Sequence, residues 1–295
     1  MNIGQFPIPE NECNMWPFMQ DPMGFVNKEV RGSIKFSIVT ISFNQASFLE
    51  GAIRSILMQN YPNMEYIIID GGSTDHSVKI IKKYETFLKY WISEKDLGPA
   101  NALNKGLRFC DGEYFYYLNS DDILEPGIFH FINNYIQSNP GYDFYYGHGS
   151  MTYDQLSDKF PIYSTNWDLK NYVNSLCSII QQSTFIKLEK LKDVGGFNEA
   201  NKTHWDGELL VKLDLNNATF KRYNKHVAIF RMYPESLSGN SNKKKYLDEF
   251  AIISDKVKLE KNFKSSKIIT LRVLQYLKDP IITFKRLISR IKYIR

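Results

Sequence analysis

Short apolar runs alternate with stretches of helical spacing from residue 36 onward. Residues 36–41 (Phe-Ser-Ile-Val-Thr-Ile) read as a buried strand, followed by the polar turn Ser42-Phe43-Asn44-Gln45. Ser47 and Glu50 have the spacing of a capping box, and Leu49, Ala52, Ile53, Ile56 and Leu57 then share one helical face. Tyr61-Pro62-Asn63 breaks that helix. Residues 66–69 form a second apolar run that ends in Asp70-Gly71-Gly72-Ser73-Thr74-Asp75. Val78, Ile81, Tyr84 and Leu88 mark another helix, and residues 90–93 a short strand. Pro99 suits the first turn of a helix over 100–109. The aromatic strand 114–117 leads into Leu118-Asn119-Ser120-Asp121-Asp122.

Strand and helix alternating through short loops predict a mostly parallel sheet flanked by helices, an α/β fold of Rossmann-like character. Residues 36–127 have the look of a nucleotide-binding half. Beyond residue 126 the pattern loosens. It predicts a helix over 128–137, strands over 142–147 and 228–232, and a strand introduced by Gln181-Gln182-Ser183. It also predicts a helix over 188–194 stopped by Gly195-Gly196, and a helix over 205–215. Residues 1–35 carry scattered prolines and read as an irregular arm anchored by Trp16 and Phe18. Residues 241–295 read as a helical tail.

Composition changes this picture in three places. The net charge of +5 is uneven: residues 264–295 hold nine Lys and Arg against the acid Asp279, so the preceding body is net acidic. In the tail, Ile281, Phe284, Leu287, Ile288 and Ile291 share a helical face with Lys285, Arg286, Arg290 and Lys292 largely off it, a pattern suited to an anionic membrane surface or to packing on the body. Aromatic residues make up a high 15% of the chain; they can line a binding cleft, but core and strand filling is their commonest use. Cys13, Cys110 and Cys177 form neither a metal-ligand spacing nor a disulfide framework, which points to a reducing cytoplasm; the first ten residues lack the pattern of a signal peptide. No uncharged apolar stretch is long enough to span a bilayer.

Open α/β sheets bind ligands at the carboxyl ends of their strands, where Asp70 and the Asp121-Asp122 pair fall. A carboxylate at a strand tip beside two glycines can accept hydrogen bonds from a base or ribose; an acid pair can hold a hard divalent cation. Plain turns are the alternative for each. No G-x-G-x-x-G and no P-loop occurs. The five histidines show no metal-binding spacing; His204 is of interest because it lies two residues from Asp206.

Six motifs then come in order: residues 38–45, Tyr61-Pro62-Asn63, residues 69–75, Tyr90-Trp91-Ile92-Ser93-Glu94, Asn104-Lys105-Gly106 and residues 118–122. Together they resemble the family-2 glycosyltransferases of bacterial surface-polysaccharide type, an inverting group with the GT-A fold. The resemblance is close over 36–127 and looser over 128–240. It implies a GT-A transferase domain over 36–240 (nucleotide half 36–127, acceptor half 128–240), with an N-terminal arm over 1–35 and a tail over 241–295. It further implies that Thr40, Phe43 and Asp70 form a nucleobase pocket, that Asp121 contacts the nucleotide, and that Asp121 and Asp122 hold Mn²⁺ or Mg²⁺. Asn119 stands where many members have the first acid of this motif. The catalytic base is implied at Asp206, with Glu208 as the fallback; capping of its helix is the plainer role for Asp206. Gln181, Gln182 and Ser183 match a segment near the acceptor, and Arg231 and Ser238 a later strand and loop that reach the diphosphate.

The implied function is metal-dependent, inverting transfer of a sugar from a UDP- or GDP-sugar to a glycan or lipid-linked acceptor, with surface-glycan assembly as the setting. The implied location is cytoplasmic or peripheral on the inner face of the membrane. Nucleic acid is not among the implied partners. The rival readings are an inactive paralogue serving as a membrane-associated assembly subunit and a sugar-nucleotide nucleotidyltransferase.

Overall fold

The computed structural model describes residues 7–9, 16–18, 32–153, 156–233, 236, 242–263 and 279–293. The chain divides into two compact units, Met1–Tyr142 with Phe185–Glu199, and Asp143–Thr184 with Ala200–Arg295.

Unit 1 begins β1 (Phe36–Ser42), α1 (Ala46–Leu57), β2 (Met64–Asp70), α2 (Ser77–Tyr84), β3 (Tyr90–Ser93), α3 (Pro99–Leu107) and β4 (Tyr114–Asn119). A two-residue β5 (Ile123–Leu124) and α4 (Ile128–Ser138) follow. The chain then forms β6 (Phe144–Thr152), β7 (Phe160–Ile162) and the single turn α5 (Leu169–Tyr172) of unit 2 before returning as β8 (Thr184–Lys187) and α6 (Leu188–Asp193). Unit 2 closes with α7 (Trp205–Leu215), β9 (Phe220–Arg231), α8 (Lys243–Glu260) and α9 (Pro280–Tyr293).

In unit 1 the strands run in the order β3-β2-β1-β4, all parallel, with β8 antiparallel against β4. Every residue of β1 is buried, as expected of a strand covered on both faces. The register aligns Ser42 with Asp70, Asp70 with Ser93, and Ile41 with Asn119, so four strands end level. The chain builds outward from β1 to β3 and then returns to the other side of β1 as β4. That reversal is a topological switch point, where such sheets open a ligand crevice.

Several motifs of the sequence reading are packing devices. A Cβ on Gly106 would lie 2.7 Å from Val39 Cγ1, so glycine lets α3 lie close on β1. Asn104 Nδ2 donates to the Phe197 carbonyl at 2.9 Å while its Oδ1 accepts from the Phe197 N–H at 2.9 Å, which fixes the segment after Gly195 and Gly196. Both glycines have positive φ (74° and 70°), the left-handed conformation that ends α6. The Tyr61 hydroxyl donates to the Ile34 carbonyl, and the Asn63 carbonyl accepts from the Phe36 N–H, pinning the entry to β1. Aromatic side chains fill the core: Phe36 packs on Phe129 with centroids 5.2 Å apart, and Tyr116 stacks on Phe185 at 4.8 Å. The Trp16 indole donates to the Leu124 carbonyl at 2.8 Å, and Phe18 lies against Gly51.

The expected capping box does not form. The N-cap of α1 is Gln45, and the Ala46 and Gln45 N–H groups are capped from a distance by Asp75 Oδ2 and Ser77 Oγ. Glu50 instead faces a buried cluster, accepting from Lys83 at 2.7 Å and from Tyr84 at 2.8 Å. A charged partner across the helix pair outcompetes the local backbone bond.

In unit 2, β6 pairs parallel with β9 and antiparallel with β7. Both β6 and β9 run beyond the apolar stretches that marked them. Residues 220–226 expose polar positions around the buried Tyr223, so they lack strand alternation in sequence. That tyrosine explains Gly147: a Cβ there would fall 1.9 Å from the Tyr223 ring. In α9, Ile282 is buried and Lys285 Nζ sits 5.6 Å from the Tyr163 ring centroid, and just ahead of the helix Asp279 pairs with Arg222. Ile281, Phe284 and Ile288 of the same helix are exposed.

Candidate active site

The residues proposed for a nucleotide gather at the strand ends of unit 1. Phe43 follows β1 with 59% of its surface exposed, an aromatic face ready for a base to stack on. The next residue, Asn44, has φ +52°; its Oδ1 accepts from the Thr74 N–H at 2.8 Å, and its own N–H donates to Ser73 Oγ at 2.8 Å. The turn after β1 and the turn after β2 are therefore laced together.

Asp70 is fully buried and organises that second turn. Its Oδ2 accepts from Ser73 N–H at 2.8 Å, Gly72 N–H at 3.2 Å and Ser93 Oγ at 2.6 Å; its Oδ1 accepts from Ser73 Oγ at 2.5 Å. Four donors occupy a carboxylate that has about four acceptor sites. A base reaching Asp70 must displace a serine hydroxyl. Thr40 is likewise buried, its Oγ1 accepting from the Tyr66 hydroxyl at 2.9 Å.

At the end of β4, Asp121 is half-buried and Asp122 fully buried. The Asp122 N–H donates to the Asn119 carbonyl at 3.1 Å, and Asn119 Nδ2 donates to Asp122 Oδ2 at 3.3 Å. The charge of Asp122 adds to the burial that raises the Tyr116 phenol well above its ordinary pKa. Asp121 is thus partly accessible, whereas Asp122 is sealed. Among the described residues no group of three or more His, Cys, Asp or Glu side chains is placed to enclose a metal. One accessible carboxylate suits a Mg²⁺ or Mn²⁺ that brings water and substrate phosphates as its other ligands.

In unit 2, Asp206 lies in the first turn of α7, half-buried, with Oδ1 accepting from the Gly207 N–H at 2.8 Å. The N-cap position belongs to His204, so Asp206 is inside the helix, where an acid complements the dipole. Glu208 accepts from Asn201 Nδ2 at 2.8 Å. Burial depresses the His204 imidazole, opposed by the nearby Asp206, Glu249 and Glu208 charges. Its Nε2 meets the Tyr172 hydroxyl at 2.9 Å directly above Gly207, where a Cβ would lie 2.1 Å from that hydroxyl. Ser183 is buried and exchanges hydrogen bonds with Gly147, whereas Gln181 stays half-exposed. Arg231 ends β9, and Ser238 lies outside the described residues.

Residues 37–177 match the family model described as Glycosyl transferase family 2. This likeness to glycosyl transferase family 2 covers just under half of the chain. An uncharacterised glycosyltransferase of Rickettsia conorii is 30% identical over 191 residues, which is 60% of this chain and 31% of the relative. The putative teichuronic acid biosynthesis glycosyltransferase TuaG of Bacillus subtilis is 36% identical over 89 residues, 29% of this chain and 35% of TuaG. The chain thus spans about a third of the length of these curated relatives.

Among solved structures, S. aureus TarS 1-349 in complex with UDP-GlcNAc aligns with a TM-score of 0.61 at 18% identity, covering 83% of this chain and 73% of that one. The mannosyltransferase PcManGT of Pyrobaculum calidifontis, in complex with GDP-Man and Mn²⁺, aligns at 0.53 and 14% identity, covering 87% and 84%. The fold is the GT-A arrangement of these transferases.

Within the matched segment the sequence reading passed over two groups. Asp96 sits over the Gly71 backbone, its Oδ2 2.7 Å from where a Gly71 Cβ would be, and its Oδ1 accepts from the Gly98 N–H at 2.8 Å. The only signal was an acid ahead of Gly98-Pro99. Ser42, at the end of β1, has a buried hydroxyl with no partner among the described residues.

Proposed function

We propose that this chain is an inverting, metal-dependent glycosyltransferase that moves a sugar from a nucleotide-diphosphate donor to an acceptor hydroxyl, with residues 36–240 as its catalytic domain. The observation that carries this reading is the convergence, at the level strand ends of unit 1, of exposed Phe43, the Asp70-organised turn and half-buried Asp121. Phe43 stacks the base, while Asp70 shapes the turn that reads the base edge. Thr40 holds the strand behind them.

Asp121, with the adjacent Asp122, would hold Mn²⁺ or Mg²⁺. The cation, when bound, neutralises charge on the diphosphate leaving group. Asp206 accepts the proton of the acceptor hydroxyl as that oxygen attacks the anomeric carbon and the C–O bond to the diphosphate breaks. A single displacement inverts the centre and needs no covalent nucleophile on the protein. UDP-GlcNAc in TarS and GDP-Man with Mn²⁺ in PcManGT support a nucleotide-sugar donor of this kind. TuaG's name supports a surface-glycan setting.

Thermal unfolding with UDP, GDP and their sugars, with and without Mn²⁺, tests the donor site, since a ligand stabilises the state it binds. Stabilisation selective for one nucleotide and enhanced by Mn²⁺ is expected. No shift with any of them would favour the inactive assembly subunit.

The exposed Ile281, Phe284 and Ile288 favour a second element of the reading. Together with the basic tail they suit peripheral attachment of α9 to an anionic membrane, where a lipid-linked acceptor would be met. Among the described residues no helix is long and apolar enough to cross a membrane.

A further inference from the structure

Helix α8 lies beyond the matched family segment, yet it is tied to the turn that carries Asp206. The Glu249 carboxylate accepts from the backbone N–H groups of Lys202 at 3.1 Å, Thr203 at 2.8 Å and His204 at 3.2 Å, and also from the Thr203 hydroxyl. One side chain from another helix thus gathers three backbone donors ahead of α7, sharing those of Thr203 and His204 with Asn201 Oδ1 at 3.3 and 2.8 Å. Tyr246 and Phe250 flank Glu249 at helical spacing. Their rings meet the buried His204 edge-on, at 4.6 Å and 84° and at 5.2 Å and 83°.

His204 is 2% exposed and locked by Tyr172, so it gives Tyr246 a rigid backing. Tyr246 itself keeps 40% of its surface open. Burial, with the Asp206 charge adding to it, raises the Tyr172 phenol behind His204 well above its ordinary range. An aromatic ring held from behind, open in front and near a carboxylate matches what a pyranose requires: an apolar face to lie on and polar atoms at its rim.

We propose that Tyr246 is an acceptor-binding residue, the platform that seats a saccharide ring so that one of its hydroxyls points to Asp206. Glu249 is the positioning residue that holds the platform and the base in one frame. This rests on the reading of Asp206 as the base. The acceptor class it names is a glycan rather than a bare lipid alcohol or a protein side chain. Orientation of this kind lowers the barrier by holding the nucleophile in place.

Saturation-transfer NMR on the full chain tests it, with a panel of methyl glycosides of glucose, galactose, mannose and their N-acetylamino forms as probes. Wild type should show saturation of at least one glycoside. Tyr246→Ala should weaken that binding by about tenfold or more, Tyr246→Phe should keep most of it through the retained ring, and both should keep the wild-type thermal response to nucleotide. Tyr246→Leu, which preserves apolar cover on His204, separates loss of the platform from loss of folding; it should bind as weakly as the alanine variant. Equal glycoside binding by wild type and Tyr246→Ala, no binding to wild type, or loss of the nucleotide response in all three variants would overturn the proposal. Asp206→Asn should leave glycoside binding intact. If that variant also keeps full transfer, the base assignment fails while the platform stands.

Discussion

Unit 1 holds its candidate groups with neighbours close in sequence. Asp70 is bound by Gly72 and Ser73 and by Ser93 on the adjacent strand, and Asp122 by Asn119 three residues back. Unit 2 frames Asp206 with side chains from distant segments: His204 beside it is gripped by Tyr172, 32 positions earlier, and its backbone by Glu249, 45 positions later. In the proposed reading, the first arrangement is a shelf for the nucleotide part of a donor, which many sugar donors share. The second depends on several elements packing together, so its chemistry can change with any one of them. The difference predicts separable failures.

The largest effect should come from Asp206→Asn, which is expected to reduce transfer by roughly 10²–10⁴-fold while nucleotide affinity stays near wild type. Asp121→Asn should do the reverse in binding, removing the Mn²⁺-dependent part of the nucleotide response. Turnover assays and nucleotide titrations on both variants check the pair. Lost nucleotide binding in Asp206→Asn with normal folding would place that residue on the donor side and dissolve the contrast.

Acid should act on unit 2 through His148. Burial, then the neighbouring His226 and Arg222 charges, depress its pKa from 6.5 to about 4, and its Nδ1 accepts from the Ser164 N–H at 3.2 Å. The unfolded chain therefore takes up a proton between about 6.5 and 4 that the folded unit refuses. The resulting stability is complete above about pH 6.5 and is lost as pH falls toward 4, by on the order of 3 kcal/mol. Hydrogen exchange at pH 7.5 and pH 5 should show β6 and β9 weakening in wild type and much less so in His148→Gln. An equal acid response in that variant would assign the loss elsewhere.

The smallest and most conditional effect concerns α9. Replacing Ile281, Phe284 and Ile288 with serine should abolish co-sedimentation with phosphatidylglycerol vesicles and leave the nucleotide response unchanged. Wild type should bind phosphatidylcholine vesicles weakly, and added salt should reduce binding to the anionic ones. Equal sedimentation of the triple variant would remove the membrane from the reading.

Much of unit 1 was legible in the chain because its determinants are local. Buried parallel strands announce themselves as apolar runs, glycines mark turns, and the order of six short motifs carried the family resemblance. The helix Trp205–Leu215 was also read with its observed ends. Other features were not legible. Residues 220–226 pair in β9 although mostly polar, because Tyr223 alone needs burial, beneath Gly147. Ser47 and Glu50 have a capping spacing, but Lys83 and Tyr84 draw Glu50 away.

The sequence by itself determined the α/β class, the strands of unit 1 and the identity of the residues at their tips, since strand period and turn chemistry act over a few positions. Only the tertiary structure decided which acids face solvent. Asp121 and Asp122 are adjacent and chemically alike, yet one is half-exposed and the other sealed. The same structure brought Glu249 and Tyr246 to the turn before Asp206. Burial and long-range pairing are properties of the packed whole, and no local pattern encodes them.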